Sequence, residues 1–414
     1  MSSDRFGAEL RRRRATANLS LTELSRLVHY DKGHLSKVER GRRPASVALA
    51  RICDSVLDAG GRLQELVAAP APAPRPAGGP QLLAAGSSLA DILDLVAVHA
   101  DQLGDEVSPT TLDVAAADPE TPDRFRTLFD LLRRQGRQSH PGLILPTVLT
   151  PARLLCRLGA TATEPVRVQL LALAAHYLEF AGWMAQEAGD DERALRLTAA
   201  AELLAAPAEA PQLAPYALVR YAELALYRGD ARRVIELAEQ AEQDRNATTR
   251  VRILAAQRAA QGYALSGDTA DCEAALDRAA RLNRRPQARS ESEIWLGSAA
   301  AGRADRLVRG WCYYDLGLPE QAADLLAKGL AEMPADAVRA KALYGVRLSL
   351  ARAAAGDVEG ACGQADEALT RARLVGSATV RHQLRQLEKE LTRWRRRSCV
   401  RHVQARMAAL AAAG

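Results

Sequence analysis

The stretch SLTELSRLVHYDKGHLSKVERGRR, residues 20–43, decides how the N-terminal part of this chain folds. Ser20 is followed three residues later by Glu23, the spacing of a capping box, in which each side chain bonds the other residue's backbone N–H. The helix started there carries Leu24, Leu27 and Val28 on one face. Asp31 is placed to cap a second helix that buries Leu35 and Val38. That helix ends at Gly41, a residue suited to the left-handed conformation beyond a helix terminus. Its opposite face carries Lys32, His34, Ser36 and Lys37, and Arg40, Arg42 and Arg43 follow its end.

Two short amphipathic helices joined by a tight polar turn make a helix-turn-helix. A helix with donors on one side, aliphatics on the other and a basic loop beyond it suits a DNA major groove flanked by phosphates. Charge agrees. Residues 1–67 hold 13 Arg or Lys against 8 Asp or Glu, an excess of +5, whereas the whole 414-residue chain is only +6. Such asymmetry points to a polyanion as the partner of one domain only. The run Arg11, Arg12, Arg13, Arg14 ends the first helix and sweeps its circumference, so one or two of its members face phosphate at most.

On the motif LTELSRLVHYDKGHLSKVERG, residues 5–67 resemble the XRE/Cro family of DNA-binding domains, the five-helix lambda-repressor type. The resemblance implies that the second helix crosses the DNA backbone and the third reads bases. It assigns Lys32, Gly33, His34 and Lys37 to the groove, with Ser36 on the same polar face, and Ser20, Thr22, Arg40, Arg42 and Arg43 to phosphates. Two positions depart from the family pattern: Leu21 stands where a glutamine is frequent, and Gly33 brings no side chain to a base. The motif therefore speaks for docking on DNA more than for sequence readout.

The remaining composition points to an all-α chain. Hydrophobic residues make up 48% and aromatics only 4%, and alanine, leucine and arginine, all strong helix formers, dominate. The six cysteines, Cys53, Cys156, Cys272, Cys312, Cys362 and Cys399, form no CxxC pair, and no signal peptide precedes them. They read as small buried residues in a reducing cytoplasm rather than as a disulfide framework or zinc site. No uninterrupted apolar run approaches 18 residues, which gives no membrane span. Phosphate-loop, HExxH, GxSxG and dinucleotide motifs are all missing, and the seven histidines lack metal-ligand spacing. No enzyme, metal or cofactor is expected.

Residues 68–80, AAPAPAPRPAGGP, read as a spacer stiffened toward polyproline II. Residues 81–166 form a less regular helical region, and RRQGRQSHPGLILPTVLTP at 133–151, punctuated by Pro146 and Pro151, reads as a loop docking on the first repeat. From 167 to 375 an internal repeat emerges on Gly189, Gly229, Gly267, Gly317 and Gly356. Seven residues before each glycine stand Gly182, Ala222, Ala260, Gly310 and Ser349, and five after stand Ala194, Val234, Cys272, Ala322 and Ala361. Small residues recur where paired helices must cross closely. Asp190, Asp230, Asp268 and Asp357 directly follow four of the glycines and can cap the next helix, whereas the fifth turn has Leu318.

With Tyr263 and Tyr313 at the aromatic position and Pro334 after a second helix, this pattern resembles tetratricopeptide repeats, although its period exceeds their usual length. The resemblance implies a curved solenoid with a concave groove. By register Glu179, Trp183, Gln186, Tyr216, Glu223, Gln257, Gln261, Trp311 and Tyr314 face that groove, a surface fit for a peptide, small molecule or protein. Residues 376–414, including LEKELTRWRRR, read as capping helices. The whole resembles effector-responsive regulators found in many bacteria, and a cytoplasmic homodimer on double-stranded DNA is expected because a single head buries little DNA surface. The alternative is an interaction scaffold carrying a degenerate helix-turn-helix head.

Overall fold

A computed structural model describes residues 2–28, 30, 32–41, 45, 47–67, 117–284, 294, 296–297 and 305–412. The 68–80 spacer and residues 81–116 of the region before the repeats lie outside these. Among the described residues the chain is all-helical, with no strands.

Five helices form the N-terminal unit: α1 (Ser2–Thr16), α2 (Leu21–Leu27), α3 (Lys32–Glu39), α4 (Val47–Val56) and α5 (Arg62–Val67). Their apolar faces converge on one core that includes Phe6, Leu10, Leu24, Val28, Leu35, Val38, Leu49, Ile52 and Leu63. The capping box forms as its spacing requires: Glu23 N–H donates to Ser20 Oγ at 3.2 Å and Ser20 N–H to Glu23 Oε2 at 2.7 Å. Gly41 takes the left-handed conformation, φ 69°. Where α1 crosses the end of α3, a side chain at Gly7 would sit 2.5 Å from the Val38 carbonyl oxygen, so only glycine lets the two backbones meet. Leu27 corrects the expected apolar face of α2: it is 51% exposed, and only Leu24 and Val28 reach the core.

Residues 133–151 are not a loop. They end α6 (Thr121–Gly136) and form the first half of α7 (Pro141–Thr161), with Pro146 and Pro151 inside the helix. Pro141 stands at its first position, where no N–H partner is needed, and His140 Nδ1 accepts from Gly142 N–H at 3.1 Å. By length and apolar composition α7 alone among the described helices could cross a membrane. It carries Arg153 and Arg157, and its Ile144, Leu145, Val148, Leu149 and Leu155 are buried in the core that α7 shares with α8 (Val166–Ala188).

Antiparallel pairs come next: α8 with α9 (Asp191–Leu203), α10 (Leu213–Tyr227) with α11 (Ala231–Gln243), α12 (Thr249–Ser266) with α13 (Thr269–Asn283), α14 (Asp305–Asp315) with α15 (Pro319–Ala331), and α16 (Val338–Ala354) with α17 (Val358–Val375). All five turn glycines adopt positive φ, from 74° to 95°. The four aspartates cap the second helices, as where Asp190 Oδ1 accepts from Arg193 N–H at 2.9 Å, and Leu318 makes no side-chain cap. The small-residue register also has its physical reason. Positions seven before and five after each glycine face each other: a Cβ on Gly182 would lie 3.3 Å from the Ala194 carbonyl, and Ser349 Oγ donates to the Ala361 carbonyl at 2.8 Å. The chain closes with α18 (Ala378–Leu391), a short 3-10 turn and α19 (Ser398–Ala412).

The repeats do not end as an open arc. Arg339, at the start of α16, reaches back about 150–200 residues: its guanidinium bonds Glu187 at 2.7 Å, the Gly136 carbonyl at 3.0 Å and the Ser139 carbonyl at 2.6 Å. Thr379 of α18 donates to the other oxygen of Glu187 at 2.9 Å. Helices near the two ends of the repeat series are thereby joined, and the coil closes on itself.

Candidate nucleic-acid interface and the interior of the repeats

The recognition surface arises from how α2 and α3 bury their aliphatics. With Leu24, Leu35 and Val38 wholly inside, Lys32, Gly33, Lys37 and Arg40 are exposed, and Ser36 is half-buried. Ser20 is exposed and Thr22 half-buried at the start of α2. Arg40, just past the end of α3, folds back along that helix, with Nε donating to the Ser36 carbonyl at 2.9 Å and Nη2 to Ser36 Oγ at 2.8 Å. That contact fixes the guanidinium at the exposed end of α3 and occupies the Ser36 hydroxyl. Arg42, Arg43 and the His34 side chain lie outside what the structure describes. Arg26, which the motif did not single out, is exposed on α2 one turn after Thr22, a spacing that places both on one side of the helix.

The arginine run of α1 serves the domain itself. Arg12 and Arg13 pair with Glu9, and Arg13 also donates to the Asp58 carbonyl at 3.2 Å. Arg14 grips the buried Glu39 through two bonds, at 2.7 and 3.1 Å, and Arg11 Nε stands 3.7 Å from the same carboxylate. A buried carboxylate needs such partners, which locks α1 to α3. The Arg12 guanidinium, with burial opposing and Arg13 assisting, holds Glu9 down to about 2.

The domain rests on the repeats by its far side. Arg51 of α4 lies 3.9 Å above the Tyr314 ring and 3.7 Å from Asp315, both on α14. Its helix meets the Gly317 turn, and Gly61, just before α5, meets the Ser266–Gly267 turn. A third contact reaches the helix-turn-helix directly, where the Arg393 guanidinium lies 4.5 Å from the ring centre of Tyr30, in the turn between α2 and α3. Docking uses α4, α5 and this turn, and Lys32, Lys37 and Arg40 remain on the free surface.

The expected groove is filled rather than open. Gln186, Tyr216, Gln257, Gln261, Trp311 and Tyr314 are each no more than 4% exposed, and Glu179, Trp183 and Glu223 are half-buried. Four arginines with no distinguishing mark in the sequence organise them. Arg220 pairs with Glu223 and donates to Gln186 Oε1 at 2.7 Å, while Tyr216 OH donates to Glu179 at 3.1 Å. Arg258 bonds Gln261 and approaches Glu223 at 3.7 Å. Arg339 lies 5.6 Å from Trp183. Arg347, 2% exposed, stacks 3.9 Å from Trp311 and 4.8 Å from Tyr314, and bonds Asp315 at 3.0 Å. Gln257 stands apart, 3.5 Å from Asp305, at the rim of a cavity of about 180 Å³ between the third and fourth pairs.

Burial raises the Glu179 carboxyl against the pull of Arg220. Glu223 moves the other way, because Arg258 and Arg220 outweigh its burial. His176 does not face this network. It is packed beside Phe129, and burial with the nearby Arg133 and Arg126 pushes it down to about 3.

No curated protein and no solved structure matches the chain. Residues 5–67 match the family described as helix-turn-helix domain, which supports a DNA-binding regulator built on this N-terminal unit.

Proposed function

We propose that the chain is a transcriptional regulator of the XRE/Cro kind, docking on double-stranded DNA through Lys32, Lys37, Arg40 and the basic loop containing Arg42 and Arg43. The observation that carries this reading is the exposed polar face of α3, where Lys32, Lys37 and Arg40 stay clear while α4, α5 and the α2–α3 turn are docked. Ser20, Thr22 and Arg26 would meet phosphates beside it. One such head covers little DNA, so a cytoplasmic homodimer is proposed, spanning half-sites about 34 Å apart, one helical turn. The tetratricopeptide-like body is its proposed pairing and sensing unit. Because the interior polar side chains already pair with one another, as Arg220 does with Glu223 and Gln186, a peptide, small molecule or protein effector would act by displacing these contacts or by binding outside them.

The test is DNA binding by purified full-length protein to its own promoter region across a salt series. Removal of two phosphate-neutralising charges in Lys32→Ala/Lys37→Ala should lower the slope of log K against log salt by about 1.8, at about 0.9 per contact. Unchanged affinity and slope would remove these lysines from the interface. Absence of salt-sensitive binding by the unaltered protein would favour an interaction scaffold.

A further inference from the structure

Four of the six cysteines meet in two pairs drawn from different helices. Cys272 of α13 and Cys312 of α14 neighbour each other, and both are fully buried. Cys362 of α17 and Cys399 of α19 line one surface cleft of about 430 Å³ together with Glu359, Asp366 and His402. Cys362 is 4% exposed and Cys399 is half-buried, so an oxidant entering from solvent meets Cys399 first.

The surroundings give the two sulfurs different roles. Cys399 is the second residue of α19 and, half-buried, is the more accessible of the two sulfurs. Exposed Arg395, Arg396 and Arg397 directly precede it. Across the cleft the charge is mixed: Glu359 is 3.8 Å from Arg397, and Asp366 is held by Arg406 at 2.7 Å and His402 at 3.4 Å. Cys362 is pushed up to about 12 by burial, with Cys399 and Asp366 adding to the effect, so it is held as the thiol. Among the described residues no three His, Cys, Asp or Glu side chains converge to hold a metal ion.

We propose that Cys399 and Cys362 form a peroxide-oxidisable pair that closes to a disulfide and staples α19 to α17. The Cys399 sulfur attacks one oxygen of hydrogen peroxide, the O–O bond breaks, and the departing hydroxide takes up the thiol proton as water, leaving a sulfenic acid. Cys362 then attacks that sulfur. The S–O bond breaks, and the leaving hydroxide departs with the Cys362 proton as a second water. One peroxide is reduced to two waters as two thiols become one disulfide. The staple lies in the capping segment that places Arg393 against Tyr30, and it acts whether or not the chain binds DNA.

Reduced full-length protein treated with a few equivalents of hydrogen peroxide should lose two of its six thiols when counted under denaturing conditions, and dithiothreitol should restore them. Peptide mass spectrometry should link Cys362 to Cys399 within one chain. In Cys362→Ser the sulfenic acid should persist at position 399 and react with dimedone, a readout that needs no disulfide. Six surviving thiols would overturn the proposal, as would a crosslink mapped to Cys272 and Cys312, a bond between two chains, or sulfinic acid at Cys399 beside a free Cys362.

Discussion

Replacing Arg347 by methionine tests whether the interior network holds the body together. The side chain is 2% exposed, and its guanidinium serves four partners at once: Asp315 at 3.0 Å, the Trp311 carbonyl at 3.0 Å, Gln383 Oε1 at 3.2 Å and the face of Trp311 at 3.9 Å. Methionine keeps most of the stem volume, so no large cavity opens. What is lost is the charge. Asp315, 7% exposed, keeps among the described residues one cationic partner, Arg51, 3.7 Å away on the N-terminal domain. Breaking one side of a buried ion pair costs about 3–5 kcal/mol, with the two orphaned acceptors included in that range. Urea unfolding followed by tryptophan fluorescence, to which Trp311 under the guanidinium contributes, should show this loss with an unchanged denaturant slope. Arg347→Lys should fall between the two, because an ammonium reaches Asp315 but cannot stack and bond in three directions. A loss below about 1 kcal/mol for the methionine variant would refute the view that Asp315 depends on Arg347.

His176 gives a pH signature. Its folded-state pKa, about 3, lies below the ordinary value of 6.5, so stability is whole above pH 6.5 and declines as pH falls toward 3. At pH 5 its share of the decline is about 2 kcal/mol, and His176→Leu should shrink the pH 7 to pH 5 stability difference by that amount; an undiminished difference would place the titrating group elsewhere. Gly7→Ala puts a methyl 2.5 Å from the Val38 oxygen and should destabilise the N-terminal domain by about 1–3 kcal/mol, read by its thermal unfolding. Asp268→Ala removes the cap bond to Asp271 N–H, 3.0 Å, and should cost about 1 kcal/mol, with faster amide exchange in the first turn of α13 as the local check.

Much of the fold was legible because it rests on contacts a few residues apart. The Ser20–Glu23 box, the turn glycines and the aspartates after them work within single turns, so their spacing in the chain is their geometry. Pairs seven before and five after each glycine were readable too, since a hairpin of fixed turn length brings them face to face. The misreadings share a cause. Pro146 and Pro151 suggested a loop, yet α7 tolerates both because its other contacts are satisfied by the core built with α8. Aromatic and amide residues on one face suggested an open groove, and the arginines that fill it were indistinguishable from the many that lie on the surface.

By itself, then, the chain determined that it is helical, where its turns fall, and that one face of α3 would be cationic and free, because helix periodicity and capping chemistry are local. Only the tertiary structure decided that Arg339 reaches Gly136 across 203 residues of chain, that Arg51 and Arg393 tether the N-terminal domain to the repeats and the capping segment, and that Cys362 and Cys399 share one cleft. The physical reason is that a charge or a thiol carries no record of its partner. Which groups meet is set by how the stacked hairpins curve, and that curvature is the sum of every packing contact along them.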